Sequence, residues 1–170
     1  MSALGDRGGE FLAAARDVMG ATPGVGALDA LGWWDLLPDL DDLDARLAVV
    51  GTLRAQGCEL ADTPALGGLL AEPYRPLLGS APGELVAAIG RTSPERGDVW
   101  VAVGDVVGCQ VLFDVPGVGA KVVPAEHVER RSVEVPGRAT LAELVVDLDD
   151  VAVALTDADC EGLRVRSSWL

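Results

Sequence analysis

Hydrophobic positions along the chain change their spacing near residue 83. Before it they recur every three to four residues, the spacing of one helix face. In "EFLAAARDVM" the residues Phe11, Leu12, Ala15 and Val18/Met19 share a face, and the run "GATPGVG" ends the helix. A short second helix is expected over Ala27–Leu31, stopping at Gly32. The longest helical pattern is "LDDLDARLAVVGTLRAQGCELAD", with Leu43, Leu47, Val50, Leu53 and Arg54 in register. One or two short helical turns follow, broken by Pro73, Pro76 and Pro82.

After Gly83 the period falls to two. "ELVAAIG", "DVWVAVG", "VVGCQVLFDV", "VGAKVVPA", "VERRSVEVPG" and "ATLAELVVDLDDVAVAL" are β-branched runs divided by Gly, Pro and Asp. The pattern predicts an α+β protein. A helical subdomain over residues 1–82 leads into a β-rich subdomain over 83–170, built as a small antiparallel barrel or sandwich of roughly five to seven strands.

The tetrapeptide "DLDD" punctuates both halves. Asp39, Asp41 and Asp42 precede the long helix, where a carboxylate can accept hydrogen bonds from the free N–H groups of the first turn. No glycine stands at the sixth position, so this is no EF-hand loop. In the second copy, alternation places Leu144, Val146 and Leu148 on one face of a strand and Val145, Asp147 and Asp149 on the other, solvated one.

Charge narrows the partners. Acidic residues number 27 against 13 basic ones, a formal charge of −14 that repels nucleic acid and anionic membrane. A basic protein surface suits it better. No uncharged run reaches the ~20 residues of a membrane span, and no secretory signal is seen. Three cysteines, Cys58, Cys109 and Cys160, form no C-x-x-C pair and read as small core fillers in a reducing, cytoplasmic setting. Lys121 is the only lysine, in a composition typical of a GC-rich bacterial genome.

Candidate chemistry is sparse. His127, the one histidine, stands in "PAEHVERRSVEV" beside Arg130 and Arg131; alone it cannot build a multi-histidine metal site, and it reads as a turn residue with general acid/base as the lesser option. The adjacent Trp33 and Trp34 of "GWWDLL" cannot both face one core from a helix, which points one of them to an interface or ligand wall. There is no complete dinucleotide fingerprint, P-loop or nucleophile elbow.

Two stretches resemble the acyl-CoA dehydrogenase family. "ALDALGWWDLLPDLDDLDARLAVVGTLRAQGCELADTPALGGLLA" is similar to its N-terminal helical domain, and "VLFDVPGVGAKVVPAEHVERRSVEVPGRATLAELVVDLDDVAV" to the later strands of its middle β-domain. The likeness covers roughly residues 25–155. Around Arg91, Thr92 and Ser93, only Thr92, Ser93 and Pro94 echo the family's flavin-contacting segment, whose G-S-D is missing; the flavin-lining segment that follows has no clear counterpart, with Trp100 as its candidate. The family's C-terminal helical domain, with its catalytic glutamate, is unmatched. Dehydrogenation needs a carboxylate base and a flavin on opposite sides of the substrate.

The resemblance therefore implies a truncated subunit that is no autonomous dehydrogenase. It would bind no cofactor alone and would pair with a full-length, FAD-bearing homologue, or with itself, to support acyl-thioester dehydrogenation. Trp33, Trp34, Arg91, Thr92, Ser93 and Trp100 are the expected substrate- or partner-binding residues. The alternative is a repurposed, cofactor-free enzyme of bacterial specialised metabolism, performing cyclisation, isomerisation or elimination in the old acyl pocket. His127 and Asp98 are its catalytic candidates, with Arg91 and Trp34 nearby in role. A third reading is an acidic α+β interaction module.

Overall fold

The computed structural model describes residues 3–22, 24–93, 97–133 and 141–167; the side chains of 3–8, 91–93, 97–98 and 165–167 lie outside that description. Among the described residues, six α-helices come first: α1 (Ala3–Ala21), α2 (Val25–Ala30), α3 (Trp33–Leu36), α4 (Leu43–Glu59), α5 (Ala65–Ala71) and α6 (Arg75–Leu78). Eight strands follow: β1 (Leu85–Ala87), β2 (Ile89–Ser93), β3 (Gly97–Val103), β4 (Gln110–Val115), β5 (Gly119–Pro124), β6 (Glu129–Val133), β7 (Leu141–Val145) and β8 (Val153–Thr156). A last helix, α7 (Asp157–Ser167), was not expected from the pattern.

Helix α1 turns inward the face its spacing predicts, with Ala15 and Met19 buried and Phe11, Leu12 and Val18 packed beside them. Helix α4 does not. It starts where Asp42 accepts a hydrogen bond from the Ala45 N–H at 2.9 Å. It stops at Leu60, which adopts a left-handed φ of 49° and returns its N–H to the Gln56 carbonyl. Its buried face is Ala45, Val49, Thr52, Ala55 and Gln56, whereas Leu43, Leu47 and Val50 point outward, 50 %, 39 % and 62 % exposed. The physical reason is close packing against α1. A side chain at Gly51 would come within 2.9 Å of the Phe11 ring, so small residues rather than leucines fill this seam.

The strands form two four-stranded sheets, β1-β4-β5-β8 and β2-β3-β7-β6. Among the described residues the sheets stay separate, which replaces the barrel alternative with two stacked layers. The arrangement is not wholly antiparallel either, because β1 runs parallel to β4. The run "ATLAELVVDLDDVAVAL" is divided as well: β7 belongs to one sheet, β8 to the other, and the second "DLDD" is the link between them.

Val86, Val111, Phe113 and Val123 of the first sheet meet Trp100, Ala102, Ala142 and Leu144 of the second in one core. The Trp100 and Phe113 rings cross edge to face, centroids 5.3 Å apart and planes at 88°. On the other side of the first sheet, Leu85, Ala87, Leu112 and Ala120 pack with Ala71, Tyr74 and Cys160. Helices therefore cover one face of that sheet while the second sheet covers the other. Gly67 makes the join possible: a Cβ there would meet the Val86 side chain at 2.3 Å. No helix among the described residues is long and apolar enough to cross a membrane.

Candidate functional site

A cleft of about 800 Å³ opens at the edge between the two sheets. Val99 and Trp100 of β3, Val115 and Val118 of the β4–β5 hairpin, and Leu144 to Leu148 form most of its wall. Lys121 lines it from β5. Strand alternation dictates this position. Lys121 stands on the same face of β5 as the core residue Val123 and directly opposite Phe113, while Ala120 and Val122 face the helical layer. Lys121 is 7 % exposed. Its ammonium donates to the Leu148 carbonyl, and among the described residues no ion pair reaches it.

Of the other charged residues that line the cleft, Arg131, Asp147 and Asp149 are exposed and Glu143 is half-buried. Arg131 bonds Glu129 at 3.0 Å, and both are well exposed. The Asp147 carboxylate accepts the Asp149 N–H at 3.0 Å in a local turn. Glu143 also borders the cleft and has interactions of its own. The second "DLDD" thus folds over a buried cation instead of extending a strand.

A smaller cavity of about 290 Å³ lies on the helical side of the first sheet, among Leu70, Tyr74, Ala87, Leu112, Asp114 and Arg164. Tyr74 donates its hydroxyl to Asp114 at 2.7 Å. Arg164 of α7 grips both Asp114 oxygens and donates to Asp157 at 2.8 Å. Burial, then the Asp114 hydrogen bond, pushes the Tyr74 hydroxyl pKa well above its usual range. The Arg164 hydrogen bond, then the Gly117 N–H, holds the Asp157 carboxyl below its usual range. With both Asp114 oxygens occupied, this cluster fastens α7 to the sheet and offers no free base.

The residues singled out in the sequence are scattered. Trp33 is fully buried in the helical core. Trp34 packs against that same core and over Gly68, and its indole N–H donates to Asp29 at 2.8 Å, so neither ring borders the cleft. His127 is exposed in the short 3-10 turn Ala125–His127. Arg91, Thr92 and Ser93 end β2, with Arg91 opposite Val99 and Thr92 opposite Asp98 in the backbone register; the side chains of Arg91, Thr92, Ser93 and Asp98 lie outside the described ones. Arg130 reaches Asp105 at 3.5 Å.

Two cysteines are core fillers as expected, and burial raises the pKa of both Cys109 and Cys160; Cys58 departs from the expectation, exposed on α4. Among the described residues no group of His, Cys, Asp and Glu is placed to hold a metal.

Among the sequence candidates whose side chains are described, Trp100 borders the large cleft. It does not fit a flavin wall. The indole is 7 % exposed, crossed against Phe113, and lies over Gly90, where a Cβ would come within 2.5 Å of the ring. That ring is committed to the core between the sheets.

Lys121 was missed, although its signal was present: a lone lysine at a core-facing position of an alternating strand. Comparisons with protein-family models, curated proteins and solved structures found no match to this chain.

Proposed function

We propose that the chain is a non-catalytic, acyl-CoA-dehydrogenase-like subunit that packs against a flavin-bearing homologue and supports acyl-thioester dehydrogenation there. The observation that carries this reading is the outward face of α4. Leu43, Leu47 and Val50 recur at helical spacing and are 50 %, 39 % and 62 % exposed, on a helix whose opposite face is already buried in its own core. A helix apolar on both sides is suited to packing on both sides. The −14 charge of the chain favours a partner whose contact face is basic. FAD belongs to the partner in this scheme, and the chain performs its role in the cytoplasm.

Co-expression with flavin-bearing homologues from the same genome tests the proposal. A yellow complex should purify, and the double substitution Leu47→Asp, Val50→Asp should release the partner while leaving the helical circular dichroism signal intact. A complex indifferent to that substitution, or a colourless chain that retains no homologue, sinks it.

The large cleft favours a second reading, the repurposed cofactor-free enzyme. Its polar residues among the described side chains are Lys121, Arg131, Glu143, Asp147 and Asp149, and the exposed His127 is not one of them. Turnover of candidate substrates that survives His127→Ala and disappears in Lys121→Met would favour it over the subunit role.

A further inference from the structure

We infer that the cleft between the two sheets is a binding site for a small carboxylate with an apolar body, and that Lys121 is its anchor. An ammonium carries three N–H donors, and here one is directed to the Leu148 carbonyl. Removing such a cation from water is costly unless an opposite charge or several acceptors replace the lost hydration. Among the described residues Lys121 has no ion-pair partner, yet it is 7 % exposed and faces a cleft of about 800 Å³, within the range of small-molecule sites. A bound carboxylate supplies the missing charge and accepts the remaining donors.

The walls define the rest of the ligand. Val115, Val118, Val146 and Leu148 line the cleft with hydrocarbon, beside Trp100. A purely inorganic anion would leave that surface uncovered, whereas an alkyl or aryl body would fill it. The rim carboxylates do not reverse the preference. Asp147 and Asp149 are exposed, where water weakens their field, and the half-buried Glu143 is engaged in an interaction of its own, while the lysine acts at depth, where charges interact more strongly. This site is independent of the α4 face, and its test needs no partner protein.

Octanoate is the probe, with octanamide and acetate removing the charge and the tail in turn. Selective 13C labelling of lysine yields a single Lys121 side-chain signal, because the chain has no other lysine. Octanoate should shift that signal saturably. Octanamide and acetate should each bind more weakly by at least about tenfold, the change expected for losing a hydrogen bond to a charged group or several buried methylenes. Lys121→Met should keep or raise the melting temperature and lose octanoate-induced thermal stabilisation. Equal binding of octanoate by Lys121→Met overturns the inference. So does equal binding of octanamide or acetate, or failure of octanoate to saturate the lysine signal.

Discussion

Asp42, which caps α4, and Thr52, inside it, make opposite contributions to that helix. Asp42 accepts the Ala45 N–H, satisfying one of the donors that the first turn of α4 leaves open. Asp42→Ala should lower the unfolding free energy by about 1 kcal/mol in urea titration. Thr52 is fully buried, and its hydroxyl has no partner among the described residues. Thr52→Val keeps the shape and removes the stranded polar group, so it should raise stability by roughly 1 kcal/mol. The cap was legible because it depends on four neighbouring residues. The buried threonine was not, because its burial depends on which face of α4 meets α1.

Helix α7 is held at two places. Thr156 and Asp159 exchange hydrogen bonds at its start, the Asp159 carboxylate accepting the Thr156 N–H at 3.0 Å. Farther along, Arg164 locks onto Asp114 and Asp157. Asp157 and Asp159 both have pKa values lowered in the folded chain, the latter by the Thr156 side chain and N–H. The unfolded chain then binds protons first as pH falls. The stabilisation is complete above the ordinary carboxylate range, about pH 4, and lost below it.

Tyr74 acts in the opposite sense. Its raised pKa means that the unfolded chain ionises first, so stability falls as pH rises beyond roughly 10. Tyr74→Phe should flatten that alkaline decline, and Asp157→Asn should flatten part of the acid one, both followed by thermal melts across pH. A Tyr74→Phe profile identical to the parent's would contradict this account.

The "TDAD" box that opens α7 was readable as a helix start, but it follows a β-branched run that draws the eye to a strand. The periodicities of α1 and β5 were equally readable. The inward face of α4 was hidden because its large apolar residues Leu43, Leu47 and Val50 lie on the outward side, and the parallel β1–β4 pair by its long sequence separation. The cleft depends on two sheets meeting, which no local pattern encodes.

At the scale of the molecule, helices, one sheet and a second sheet stack around mostly aliphatic cores that hold a few aromatic rings, in a chain of strong negative charge. Self-repulsion should be relieved by salt. Raising NaCl from about 10 mM to about 150 mM shortens the screening length from about 30 Å to about 8 Å, and the melting temperature should rise with it. A fall would mean that surface ion pairs such as Arg16–Glu59 outweigh the net charge.

The threading of the strands has a kinetic consequence. The chain lays down β1, leaves for the other sheet with β2 and β3, returns for β4 and β5, leaves again for β6 and β7, and returns with β8. Neither layer can be finished before the other is under way. A refolding chain must therefore close several long loops before its largest gains arrive, which makes folding slow for its size. The two sheets should appear together, in one cooperative step, when strand content and tryptophan fluorescence are followed in the same stopped-flow experiment.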